Sequence, residues 1–171
     1  MKSLAPSFLA AVVAVLSAVA AQAQNQARDP GLEKIGKVRT ELIFGTNGSV
    51  DALGSGVKPL PRAEVERLQK AAKIGQYKKF VRLGSVEQAV LRGYKSWAAP
   101  IANSEAILVT FQPQARVEKK LRLDIELWQK KKMVLRWDPS FDVGKQIYLM
   151  GPKWRDGNLI IRVKLVSLKP K

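Results

Sequence analysis

The sequence predicts an α+β fold that is mostly β: an antiparallel sheet or a two-sheet sandwich of about seven to eight strands with one packed helix. Three observations carry this. Residues 117–128 alternate between Leu121, Leu123, Ile125 and Leu127 on one face and Arg122, Asp124, Glu126 and Trp128 on the other, the period of a strand. Only residues 61–74 show the 3.6-residue period of a helix with start and stop signals. Asp156-Gly157 separates two apolar runs as a tight turn would.

Taken in order, residues 24–36 are polar, carry Pro30-Gly31, and read as a flexible leader to a single domain over 37–171. The first strand is expected at 37–44. Val38, Thr40, Leu42 and Phe44 share one face, and Arg39, Glu41 and Ile43 the other. Four glycines within 45–56 predict a long mobile loop. In the helix, Pro61 suits the first position, Glu64 and Glu66 lie near the start, and Lys70 and Lys73 lie near the end, so the charges oppose the helix dipole. Gly75 is a natural stop. Val65, Leu68 and Ala72 form one narrow apolar stripe.

Beyond Gly75 the period falls to two. Strands are expected at 77–90 with a kink at Gly84-Ser85, at 94–101 ending at Pro100, and at 106–112 with Ile107, Val109 and Phe111 inward. After 117–128, Gln129-Lys130-Lys131 turns the chain into 132–138. Residues 145–150 and 158–168 form the last pair. Leu123, Ile125, Ile161 and Val163 are expected in the core, and Arg122, Asp124 and Arg162 outside it.

Residues 1–23 read as a secretory signal peptide. Lys2 is followed by an uncharged run rich in Ala, Val and Leu, and Ala21-Gln22-Ala23 offers small residues where a leader peptidase reads, with cleavage before Gln24. The competing reading is a retained anchor. No other stretch is long and apolar enough to span a membrane as a helix. The expected location is therefore a bacterial periplasm or the exterior.

The 171 residues include no Cys and no His. That excludes disulfides, thiolate nucleophiles, a Ser-His-Asp triad and His-ligated zinc. No metal site and no cofactor are expected. Asp138, Ser140 and Asp142 mimic the opening of a calcium loop, but Val143 stands where that loop needs Gly and Leu149 where it needs an acid. Ser96 follows Lys95, yet adjacent strand residues point to opposite faces and form no dyad by themselves. Gly54-Ser55-Gly56 lacks the Lys-Ser or Lys-Thr of a phosphate loop. Asp124 and Glu126 have the i, i+2 spacing at which two carboxyls could serve a retaining glycosidase. With Arg122, Lys132 and Arg136 nearby, the simpler expectation is cross-strand charge pairing on a solvated face.

Thirty Lys and Arg against fourteen Asp and Glu give a net charge of +16. Lys78-Lys79, Lys119-Lys120 and Lys130-Lys131-Lys132 are the clusters through which an anionic partner would be met. That partner would be an envelope component or an acidic protein, with no intracellular nucleic acid expected. The alternative is a solubility feature spread over the surface. Of Trp97, Trp128, Trp137 and Trp154, Trp128 on a polar strand face and Trp154 near a turn are the best candidates for exposed stacking residues.

The closing segment, Leu149-Met150-Gly151-Pro152, then Asp156-Gly157 and Asn158-Leu159-Ile160-Ile161, resembles the L-x-G-P…D-G-x-L-I-I hairpin of small, uncharacterised secreted β-rich bacterial domains. The resemblance covers about the last hundred residues by loose pattern. It implies an exported, non-enzymatic module and adds no site. The function expected is thus an envelope binding or assembly module with a basic surface. The alternative is a hydrolase of wall or sugar polymers using carboxylates.

Overall fold

The computed structural model describes residues 29–54, 56–71, 73–98 and 107–170. The expected signal peptide, residues 24–28 of the expected leader, Ala72, and residues 99–101 and 106 at the ends of two expected strands, with Pro100 among them, lie outside the described residues. Gly31–Lys171 forms one compact unit.

The strands are β1 (Lys34–Thr46), β2 (Lys58–Pro59), β3 (Lys79–Leu91), β4 (Ser96–Ala98), β5 (Ile107–Val117), β6 (Lys120–Gln129), β7 (Lys132–Trp137), β8 (Ser140–Asp142), β9 (Gln146–Trp154) and β10 (Gly157–Leu168). Helix α1 is Arg62–Gln69. Two antiparallel sheets result. Sheet A runs β2-β3-β1-β10-β9; sheet B runs β4-β5-β6-β7, and β8 also pairs with β6. The fold is the mostly β, two-sheet α+β arrangement expected. The strands beyond the eight foreseen are β2 and β8, of two and three residues, and the strand foreseen at 94–101 is the three-residue β4.

The sheets face each other through a continuous apolar core. Val38, Leu42, Phe44, Leu83, Leu159, Ile161 and Val163 enter it from sheet A, and Ile107, Val109, Phe111, Leu121, Leu123, Ile125 and Leu127 from sheet B. Burial of this kind is the main stabilising term in such a domain. A second, smaller core lies on the outer face of sheet A, where Leu68 of α1 meets Ile43, Phe80 and Ile160, with Tyr77 and Ile74 beside them. Ile43 is therefore buried on the face that Arg39 keeps wet.

Some boundaries differ from expectation. β1 begins at Lys34, inside the stretch read as leader, because Ile35 is already a core residue. α1 is eight residues, not fourteen; Pro61 is its N-cap, and the chain leaves the helix after Gln69 through a tight turn that ends at Gly75, whose N–H reaches the Ala71 carbonyl (2.7 Å). The kink foreseen at Gly84-Ser85 falls next to a bulge: Leu42 pairs with Gly84 and Ile43 with Arg82, leaving Leu83 over. In the closing hairpin the turn residues are Arg155 and Asp156, and Gly157 opens β10 opposite Trp154. A Cβ on Gly157 would lie 2.1 Å from the Gly45 carbonyl oxygen, so only glycine lets β1 and β10 approach there. After β1, Asn47 ties the glycine-rich loop back: its amide nitrogen donates to the Gln76 carbonyl (3.2 Å) and its oxygen accepts from the Lys78 N–H (2.9 Å).

Candidate binding face on sheet B

Alternation sends Arg122, Asp124, Glu126 and Trp128 of β6 to the outer face of sheet B, as expected. The expectation that this face is solvated is wrong for two of them. Asp124 and Glu126 are 4% and 6% exposed. Asp124 accepts both arms of Arg136 from β7, at 2.9 and 2.6 Å. Glu126 accepts Lys95 Nζ on both oxygens (2.8 Å each), Thr110 Oγ1 of β5 (3.0 Å) and Trp128 Nε1 (2.9 Å). Burial works to raise the Glu126 pKa, but the hydrogen bonds from Lys95, Trp128 and Thr110 outweigh it and hold the carboxyl below its usual range. That is the opposite of the shift a general acid needs. Lys132 takes no part in this pairing, and Arg122 turns to Asp138 instead (Nε to Oδ1, 2.8 Å). The Arg122 guanidinium holds the Asp138 carboxyl below its usual range. Among the described residues no cluster of three or more acidic groups is placed to hold a metal ion.

Beside Glu126 the outer face turns apolar. The register puts Leu108 of β5, Trp128 of β6 and Met133 of β7 in one row. Trp97 of β4, opposite Thr110, lies against Trp128 with ring centroids 6.1 Å apart and planes tilted by 46°. Trp97 is 47% exposed and Met133 43%. The indole N–H of Trp128 is consumed by Glu126, so its polar edge points back into the sheet and the outward part of the row is apolar.

The lysine turn adjoins this row. Gln129 pairs with Lys132, so Lys130 and Lys131 are the two central residues of the β6–β7 hairpin. Both have positive φ, 50° and 64°. A two-residue turn of that kind favours Asn-Gly, because in the left-handed region Cβ crowds the following carbonyl oxygen at about 1 kcal/mol per residue, a cost that Gly avoids and Asn offsets by local hydrogen bonding. Lys131 and Lys132 are exposed and, among the described residues, in no ion pair.

The other candidate residues are placed elsewhere. Lys119 and Lys120 are exposed at the far end of β6, a ten-residue strand, hence about 30 Å from the lysine turn at ~3.4 Å per residue. Lys78 and Lys79 are exposed at the start of β3 in sheet A, where Lys79 pairs with Thr46. The three basic clusters are thus not one patch. Trp154, expected to be exposed, is half-buried: it meets Phe44 edge-on at 4.9 Å, with the Arg155 guanidinium 4.7 Å from its ring centre. Trp97 and Met133 are the members that sequence reasoning passed over. A three-residue strand and a bulge between Leu127 and Trp128 leave no periodicity from which to read their side of the sheet.

Arg162 lies outside the core, as expected, half-buried on the outer face of sheet A. Its guanidinium bridges Glu41 of β1 and Glu64 of α1, with Arg82 3.6 Å from Glu41. Tyr148 Oη donates to Glu64 at 3.4 Å and accepts from Gln146 Nε2 at 2.8 Å. Burial and the Glu64 charge push the Tyr148 hydroxyl pKa up.

Among the described residues no helix is long and apolar enough to cross a membrane. Comparison with protein families, with curated proteins and with solved structures finds no match for this chain.

Proposed function

We propose that this chain is an exported, non-enzymatic binding or assembly module of a bacterial envelope, periplasmic or secreted, and that the lysine-bearing end of sheet B holds an anionic partner. The observation that carries this reading is the β6–β7 turn. Two lysines occupy positions that folding alone would give to Asn and Gly, and they stand beside exposed Trp97 and Met133. A locally unfavourable choice of residue on an exposed tip is what function, rather than stability, selects. The signal-like residues 1–23 and the resemblance of the closing hairpin support export.

The test has two parts. The protein recovered from the envelope fraction should have an intact mass beginning at Gln24; the full-length chain in the cytoplasm would overturn export. Retention on an anionic surface should fall steeply between 0.1 and 1 M salt, as the Debye length shrinks from about 10 to about 3 Å. Retention indifferent to salt would make the charge a solubility feature.

A further inference from the structure

We infer that the anionic partner of this face is a lipid bilayer surface, with Trp97 and Met133 seated among the headgroups and Lys130, Lys131 and Lys132 against the phosphates. The inference rests on the binding-module reading and names its ligand class.

Two features separate a bilayer from a soluble polyanion or an acidic glycan. The first is hydrogen bonding. A glycan is recognised through donors and acceptors that await a partner, whereas the buried carboxylates beside the apolar row already have theirs. Glu126 holds Lys95, Thr110 and Trp128, and Asp124 holds Arg136. What this region offers outward is apolar surface and cationic charge, from the lysine turn and from exposed Arg136. The second is shape. A platform for successive sugars would be coplanar, but the planes of Trp97 and Trp128 are tilted by 46°. Exposed indole and thioether groups beside a basic tip match the layered chemistry of a membrane interface, where aromatic rings sit at headgroup depth and lysines meet an anionic surface. The opposite end of β6 carries Lys119 and Lys120 beside exposed Val117, and the aromatic residue there, Phe141 opposite Leu121, is buried.

The experiment uses the chain beginning at Gln24, which keeps the whole compact unit from Gly31 onward and removes the apolar run that would itself enter lipid. Binding is measured to vesicles of phosphatidylcholine, to vesicles containing phosphatidylglycerol, and to polyphosphate as a soluble polyanion. The phosphatidylglycerol vesicles should bind, the neutral ones should not, and brominated acyl chains should quench tryptophan emission in the bound protein. Trp97→Ser with Met133→Ser should weaken vesicle binding about tenfold, the worth of two partly inserted apolar side chains, and leave polyphosphate binding within twofold. Val117→Ser should change neither. Quenching in the unaltered chain keeps the inference testable even if the double variant folds poorly. If vesicles and polyphosphate bind alike, with no quenching and no effect of the double variant, the lipid inference is overturned while the binding-module reading stands. An equal loss with Val117→Ser also overturns it. Binding to neither anionic probe overturns both.

Discussion

The outer faces of the two sheets bury acidic residues by opposite means. On sheet A, α1 lies over the strands. Glu41, Glu64 and Arg162 are enclosed between helix and sheet, with the apolar contacts of Leu68, Ile43 and Ile160 next to them. On sheet B no helix lies over the face among the described residues, and Glu126 is enclosed by its neighbours in the sheet: Lys95, Thr110 and Trp128. The helix spends the apolar part of sheet A's outer face on packing. Sheet B keeps Trp97 and Met133 in contact with water. One face is finished by the fold; the other retains exposed apolar surface, beside a strained turn of lysines, that folding does not use.

If this contrast is right, the largest effect of substitution belongs to sheet A. Arg162→Met removes the cation shared by buried Glu41 and half-buried Glu64 and should cost about 3 kcal/mol in urea unfolding, the low end of the penalty for breaking a buried pair, because Arg82 still faces Glu41. A loss below about 1 kcal/mol would mean that α1 is not anchored through Arg162.

On sheet B the Glu126 contribution is smaller and depends on pH. Glu126→Gln keeps the shape but weakens the charged hydrogen bonds, and should cost about 1–2 kcal/mol at neutral pH. The folded-state pKa of Glu126 is depressed. Its contribution is therefore present above the unfolded value near about 4.3 and is lost as pH falls through the lower folded value. The gap between the two proteins should begin to shrink as pH falls below about 4.3 and close further into acid. A gap that persists in acid would show that Glu126 is not held as the carboxylate.

The turn should respond in the other direction. Lys130→Asn with Lys131→Gly relieves two left-handed lysines and should stabilise the domain by about 1 kcal/mol, read as a higher thermal midpoint. A lower midpoint would mean that these lysines support the hairpin. The smallest effect belongs to Trp97→Ser, which should stay within about 0.5 kcal/mol as exposed positions do. A larger loss would make Trp97 a packing residue and weaken its assignment to binding.

How far the sequence already showed this varies by region, for physical reasons. The inward residues of β6 were legible because four leucine and isoleucine positions alternate without a break, and all four are buried. The outward residues were not. A strand's polar face reads alike whether it meets water or is covered by a partner, so Asp124 and Glu126 were expected on the surface and proved buried. Short β2 and β8 hold too few residues for any period to emerge, and β4 was foreseen at 94–101 without its outward side. Lys130-Lys131-Lys132 was legible as a basic turn, but its adjacency to Trp97 depends on β4 joining β5, a pairing that no local pattern encodes. The strain at the turn was hidden for a like reason: Lys-Lys carries none of the residues that usually mark a positive-φ hairpin.

The central claim is that binding belongs to one end of sheet B and not to the charge of the whole domain. Two charge-matched variants of the chain beginning at Gln24 test it most directly: Lys130, Lys131 and Lys132 changed to Gln, and Lys78, Lys119 and Lys120 changed to Gln. Each removes three positive charges. Affinity for phosphatidylglycerol vesicles is measured for both at one fixed salt concentration. At about fivefold per lysine near an anionic surface, the first should lose about a hundredfold and the second only a fewfold. Equal losses would mean that the domain binds through its net charge, and would contradict the account.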